Sequence, residues 1–223
     1  VQAEPTDRRR LLAAARLYLV IDSLDSGPRL ARTVEAAITG GVAVVQLREK
    51  RRLGRQLLAA AELLRDLCRE HEALFILNDR PALAAQLGAD GVHLGQEDME
   101  VRGARELVGK ELLIGLSTHS PEQIDRAQRL PLDYIGVGPV YATPTKPGRP
   151  AVGLGLVGYA AEHSRLPFFA IGGIDPRNAG AVIRAGARRL AVVRAIAEAA
   201  DPGAAAGELA AALAGEVEVG SAP

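Results

Sequence analysis

Gly153-Leu154-Gly155-Leu156-Val157-Gly158 (GLGLVG) has the glycine spacing of a dinucleotide-binding turn, and its reading decides between an open doubly wound sheet and a closed barrel. Such a turn needs a strand immediately before its first glycine, so that a pyrophosphate meets the N-terminus of the helix that follows. What precedes Gly153 is instead Gly138–Pro150 (GPVYATPTKPGRP), a loop stiffened by four prolines. The glycines therefore read as easing that loop into a helix, and the open dinucleotide-binding sheet is rejected.

On both sides of this stretch, short β-type runs alternate with helical segments. Leu17–Asp22, Val42–Arg48, Leu74–Asp79, Gly91–Gly95, Leu113–Thr118, Tyr134–Val140, Phe168–Ile174 and Leu190–Ile196 read as eight strands. Segments between them, such as Gly54–Glu70, carry apolar residues at helical spacing. Pro81, Pro121 and Pro176 stand where helices are expected to begin, the position that proline tolerates best. Nearly continuous apolar strands belong to parallel sheets covered on both faces. Eight strand–helix units in 223 residues predict an α/β fold, a single (β/α)8 TIM barrel. A short helix over Arg8–Ala15, capped by Thr6 or Asp7, is expected across the barrel bottom. The first residues and the tail after about Ala214 are expected to fray. No linker or shift in composition marks a second domain, so residues 1–223 are read as one.

The composition supports this reading and narrows the function. The chain is 48% hydrophobic, enough for a sizeable core, and its 27 basic and 27 acidic residues cancel. Balanced charge and 3% aromatic residues argue against nucleic-acid binding, which calls for a basic face or stacking rings. No apolar run is long enough to span a bilayer, and no signal-peptide pattern opens the chain. A cytoplasmic protein without a membrane partner is expected; a homo-oligomer is compatible with the sequence. The single cysteine, Cys68, excludes an intrachain disulfide and shares a helical stripe with Leu57, Ala61 and Leu64, which makes it a core thiol.

The chemistry of a barrel enzyme sits at the C-terminal ends of its strands, so the polar residues there are the candidates. After strand two, alternation puts Gln46, Arg48 and Lys50 on one side and Leu47 and Glu49 on the other. An amide and two cations converging there read as an anion clamp, against the plainer reading of a solvated loop. Asp79 after strand three and Asp98 after strand four are two carboxylates facing phosphate-binding cations, a set that suggests Mg2+. Singly, Asp79 reads equally as a helix N-cap and Asp98 as a turn residue. Ser117 is a candidate substrate contact, and Ser120, before Pro121, an N-cap. His119 reads as a base or a structural hydrogen-bonder, and His93 as a barrel-facing ring. Gly172 and Gly173 suit a phosphate site, aided by a following helix N-terminus, or simply relieve a tight turn. In the proline-rich loop, Thr143 and Thr145 can donate to an anion, Lys146 adds a point charge, and Arg149 reads as an outer contact. Two anion sites with a metal between them imply phosphorylated small-molecule substrates, with the loop as a lid.

These residues, in this order, resemble the thiamine-phosphate synthase family. The runs VQLREK, LNDR, GVHLGQED, IGLSTH, YIGVGPVYATPTKPG, AIGGI and AVVRAI carry the likeness from about Leu17 through Ile196. The resemblance implies a magnesium-dependent transferase that joins a hydroxymethylpyrimidine diphosphate to a thiazole phosphate, carboxylated or not, and releases pyrophosphate. It assigns Gln46, Arg48, Lys50 and Asn78 to the pyrimidine diphosphate, Ser117 to the pyrimidine and Lys146 to the diphosphate. Asp79 and Asp98 would hold Mg2+. Thr143, Thr145, Gly173, Val193 and Arg194 would meet the thiazole phosphate. Arg48, Lys50, Ser117 and Lys146 are the expected catalytic set. Arg194 stands where the family usually has serine, which a backbone contact would tolerate. A related barrel, a thiazole tautomerase with His119 as its base, is the alternative, and a non-catalytic phosphate-binding barrel is a further one. Neither has use for the two aspartates beside Gln46, Arg48 and Lys50.

Overall fold

In the first strand, β1 (Leu17–Ile21), alternate residues serve two cores. Leu17, Leu19 and Ile21 pack outward against helices, whereas Tyr18 and Val20 fill the inside of a barrel. The same two-residue period runs through the other strands, as it must when a sheet closes on itself. These are β2 (Val44–Leu47), β3 (Leu74–Asn78), β4 (Gly91–Leu94), β5 (Leu113–Thr118), β6 (Tyr134–Val137), β7 (Phe168–Ile171) and β8 (Leu190–Val192). Each pairs in parallel with the next, and β8 returns to β1, giving a closed eight-stranded barrel. The structure, a computed structural model, describes residues 5–23, 27–49, 54–143 and 150–215.

Helices α1 (Pro5–Ala14), α2 (Pro28–Thr39), α3 (Arg55–Glu70), α4 (Pro81–Leu87) and α5 (Val101–Val108) belong to the first half. In the second half come α6 (Pro121–Ala127), α7 (Gly153–His163), α8 (Ala179–Arg184), α9 (Arg194–Ala197) and α10 (Pro202–Gly215). On α3 the stripe of Leu57, Ala61, Leu64 and Cys68 is buried, and burial pushes the Cys68 thiol well up, so it stays protonated and inert. Full burial of each such leucine stabilises the fold by roughly 1.5–3 kcal/mol relative to exposure. Gly153 opens α7 directly from the loop, as its glycine pattern requires. Ser120 caps α6 by accepting from the Gln123 N–H at 3.3 Å. Among the described residues, no helix is long and apolar enough to cross a membrane.

α1 closes the N-terminal end of the barrel. Leu12 and Ala15 join Tyr18, Val44, Leu74, Leu113 and Phe169 in the inner core. Arg8 pairs with Asp90, just before β4, and Arg9 with Asp133, just before β6, each at 2.9 Å. α1 thus covers the end of the barrel opposite the C-terminal ends of the strands.

Several expectations are corrected. α1 begins at Pro5, so Thr6 and Asp7 lie within its first turn and do not cap it. Pro176 does not open a helix, because α8 starts at Ala179. The side chains of Asp175 and Asn178 instead satisfy backbone N–H groups of an intervening turn. β8 ends at Val192: at Val193 a ψ of −89° leaves the extended region, and Arg194 starts a helix. β2, β6 and β7 are likewise shorter than their apolar runs, since pairing stops where the chain bends away into its loops. The tail beyond Gly215 lies outside the described residues.

Candidate active site

At the C-terminal mouth the strand ends enclose a cavity of about 410 Å³. Its floor is aromatic. Tyr18 and Tyr134 each meet Phe169 edge-on, at 5.1 and 5.7 Å between ring centroids. Burial pushes both phenols far above their ordinary range, so they remain protonated hydroxyls.

Alternation along β2 brings Gln46 and Arg48 to the cavity. Leu47 turns into the outer core, and the buried Glu49 accepts from the Ser23 hydroxyl and N–H. Asn78, at the end of β3, is also part of the lining. Ser117 of β5 and His93 of β4 lie side by side, with Nε2 of His93 3.0 Å from the serine Oγ. Nδ1 of His93 is 3.2 Å from the Tyr134 hydroxyl. Tyr134 in turn meets Tyr18 at 3.0 Å, and Gln46 Nε2 donates to Tyr18 at 2.7 Å. His119 reaches the cavity with its ring Nδ1 donating to the Gly138 carbonyl and its backbone N–H to Gln123.

The other side of the cavity is formed by β7 and β8. Gly172 and Gly173 have φ of 107° and 66°, a region costly for any other residue. A Cβ on Gly173 would lie 2.7 Å from that of Tyr141, and one on Gly172 would lie 2.5 Å from Pro139 Cα. The glycines thus let the β7 loop press against the chain after β6 while their backbone still faces the cavity. They are followed by the Asp175–Asn178 turn, not by a helix start as expected. Thr143, Val193 and Arg194 join this part of the lining, Arg194 from the first position of α9. So do Asp175 and Arg177, whose 2.6 Å pairing holds the Asp175 carboxyl below the usual carboxylate range.

The structure therefore brings Gln46, Arg48, Asn78, Ser117, Thr143, Gly173, Val193 and Arg194 to one cavity. Asp79 and Asp98 follow paired strands at the same mouth but stand outside the lining. Asp79 adopts a left-handed φ of 60° and donates its N–H to the His93 carbonyl at 2.8 Å. The N-cap of α4 is Arg80, so Asp79 is not a capping residue. Asp98 is exposed and accepts from the Gly95 N–H at 2.7 Å, the bond of a turn residue. Two aspartates alone do not make a closed metal cage, and no group of three or more His, Cys, Asp or Glu is arranged to hold a metal among the described residues. Two carboxylates are the number of protein ligands that a hard cation takes when it completes its shell with water and phosphate oxygens. Lys50, Thr145 and Lys146, together with Arg149, lie outside the described residues. Tyr18 and Tyr134 were missed by reading strand ends alone. Their signal was two of the chain's four tyrosines at inward positions of otherwise apolar strands.

Comparison with known proteins bears on the family and the fold. The family described as thiamine monophosphate synthase matches residues 17–196. The thiamine-phosphate synthase of Gloeobacter violaceus is 55% identical over 197 residues, 88% of this chain and 57% of that protein. This chain thus spans little more than half the length of the curated relatives it first matches. The thiamine-phosphate synthase of Thermobifida fusca is 51% identical over 90% of this chain and 93% of its own length. Among solved structures, thiamine phosphate pyrophosphorylase from Pyrococcus furiosus superposes with a TM-score of 0.81 at 33% identity, covering 92% of this chain and 96% of that one.

Proposed function

The chain belongs to the thiamine monophosphate synthase family, and from that premise we propose that it joins a hydroxymethylpyrimidine diphosphate to a thiazole phosphate, forming thiamine phosphate and releasing pyrophosphate. The observation that carries this reading is the single cavity lined by Gln46 and Arg48 from β2 and by Gly172, Gly173, Val193 and Arg194 from β7, β8 and α9. Two anion-binding rims, separated by β1 and an aromatic floor, suit two phosphorylated reactants whose rings must meet.

The reaction breaks the bond between the pyrimidine methylene carbon and the diphosphate oxygen. That bond's electron pair leaves with pyrophosphate, and the aminopyrimidine ring delocalises the positive charge left on the methylene. The thiazole nitrogen then supplies the electron pair for the new carbon–nitrogen bond. No protein nucleophile is needed. Arg48 stabilises the charge growing on pyrophosphate, with Lys50 and Lys146 in the same role. Removing one preorganised donor of this kind costs about 2–4 kcal/mol in barrier. Gln46, Asn78 and Ser117 hold the pyrimidine diphosphate, while Thr143, Thr145, Gly173, Val193 and Arg194 hold the thiazole phosphate. Asp79 and Asp98 would hold Mg2+, which when bound adds positive charge beside the diphosphate oxygens. Positioning the thiazole nitrogen against the pyrimidine methylene in one cavity supplies much of the remaining acceleration.

The test is a two-substrate assay. Pyrophosphate and thiamine phosphate should form in equal amounts when both substrates and Mg2+ are present, and neither when one substrate is omitted. Isomerisation of a thiazole carboxylate phosphate without metal, abolished by His119→Asn, would favour the tautomerase reading instead.

A further inference from the structure

Along the floor and wall of the cavity, five buried residues form one unbroken hydrogen-bonded chain: Gln46, Tyr18, Tyr134, His93 and Ser117. They come from five different strands, so the chain crosses the inside of the barrel. We propose that Tyr134 is a positioning residue that fixes His93 as its Nε2–H tautomer and thereby commits Ser117 to donate its own hydroxyl hydrogen into the cavity.

The direction follows from proton arithmetic. Gln46 gives an amide N–H to the Tyr18 oxygen. Tyr18 has one hydroxyl hydrogen, and the acceptor we assign to it is the Tyr134 oxygen 3.0 Å away. Tyr134 then gives its only hydroxyl hydrogen to Nδ1 of His93, which must accept. A neutral imidazole with a bare Nδ1 carries its proton on Nε2, and that proton is donated to Ser117 Oγ. The serine hydrogen remains for whatever occupies the cavity.

The surroundings are shaped for this chain. Gly115, on β5 between His93 and Tyr134, leaves the gap in which they meet. A Cβ there would lie 2.2 Å from Tyr134 Cζ and 2.6 Å from His93 Nδ1. Phe169 braces both tyrosine rings edge-on, which limits their swing. The chain thus selects, at Ser117, a ligand atom that accepts a hydrogen bond. On the reading proposed above, that atom is a ring nitrogen of the pyrimidine; this consequence rests on that reading, whereas the tautomer does not.

Long-range 1H–15N NMR of protein labelled at histidine nitrogen reads the tautomer without substrate. At neutral pH, wild-type His93 is expected to show a protonated Nε2 and a bare Nδ1. Tyr134→Phe removes the donor to Nδ1 and should yield a mixture of tautomers. A wild-type His93 protonated at Nδ1, or a spectrum that Tyr134→Phe leaves unchanged, overturns the proposal. In steady-state assays Tyr134→Phe should raise KM for the pyrimidine diphosphate about three- to ten-fold, the scale of one neutral hydrogen bond. Its kcat and its KM for the thiazole phosphate should change by less than about twofold. An equal rise in both KM values contradicts a role confined to Ser117. Were Tyr134→Phe unable to fold, the wild-type spectrum alone would decide the direction of the chain. Should the wild-type protein turn over neither substrate, the functional reading would fail while the spectra still judged the tautomer.

Discussion

Asp175 and Arg177 line the cavity beside the glycine pair, and their partnership sets the charge that this rim would present to the proposed thiazole phosphate. A bare carboxylate there would repel phosphate; the Arg177 guanidinium offsets its charge and holds the Asp175 carboxyl below the usual range, against the smaller opposing effect of burial. The sign follows. A depressed carboxyl contributes stability that is present above its ordinary value and is lost as the pH falls through the depressed one. Arg177→Gln should therefore move the Asp175 midpoint upward, read by 13C NMR of its carboxyl carbon, and weaken binding of the thiazole phosphate. An unchanged midpoint would contradict the pairing. At this scale the sequence was readable wherever the cavity lining follows strand alternation. Gln46 and Arg48 point inward because Leu47 points outward, and Ser117 ends its strand on the cavity side. Tyr18 and Tyr134 were not readable in this way. Their partners are set by barrel closure, which brings together hydroxyls 116 positions apart in the chain.

The β7 loop shows how an element is held in place. Gly173 combines a left-handed φ with a close approach to Tyr141, so Gly173→Ala combines backbone strain with a clash. It should destabilise the fold by about 1–3 kcal/mol and raise KM for the thiazole phosphate more than for the pyrimidine diphosphate. Thermal melts and steady-state kinetics check both, and a variant with normal melting and normal KM would count against the loop's role. Most elements were legible because their apolar period, capping serine and initial prolines agree: α3, α4 and α6 start where those signals fall. Strand ends were not. Val193, Ala195 and Ile196 continue the apolar run of β8, yet the backbone bends at Val193, since nothing in hydrophobicity marks where pairing stops. The turn before α8 escaped for a related reason: Asp175 and Asn178 divert backbone donors that a helix start would have used.

At the scale of the whole molecule, the barrel was legible because eight repeated strand–helix units leave few ways to bury both faces of a parallel sheet. How its far end is sealed was only partly so, because the ion pairs that seat α1 join it to residues before β4 and β6. Arg8 and Asp90 are largely buried, and Asp90 also accepts from the Phe75 N–H. Arg8→Ala should lower stability by about 3 kcal/mol, the low end for an orphaned buried charge. It should leave both KM values unchanged, since the site lies at the other mouth. Denaturant unfolding and kinetics on the same sample separate the two effects. The central claim, that two aspartates at that mouth hold a cation against the diphosphate, is tested most directly by Asp98→Asn. The amide oxygen can still accept from the Gly95 N–H, so the turn survives while the charge is removed. The account predicts an unchanged melting curve, a rise in the Mg2+ concentration needed for half-maximal rate, and a loss of about 30- to 1,000-fold in pyrophosphate release. Full release at the same Mg2+ concentration as the unaltered protein would contradict it.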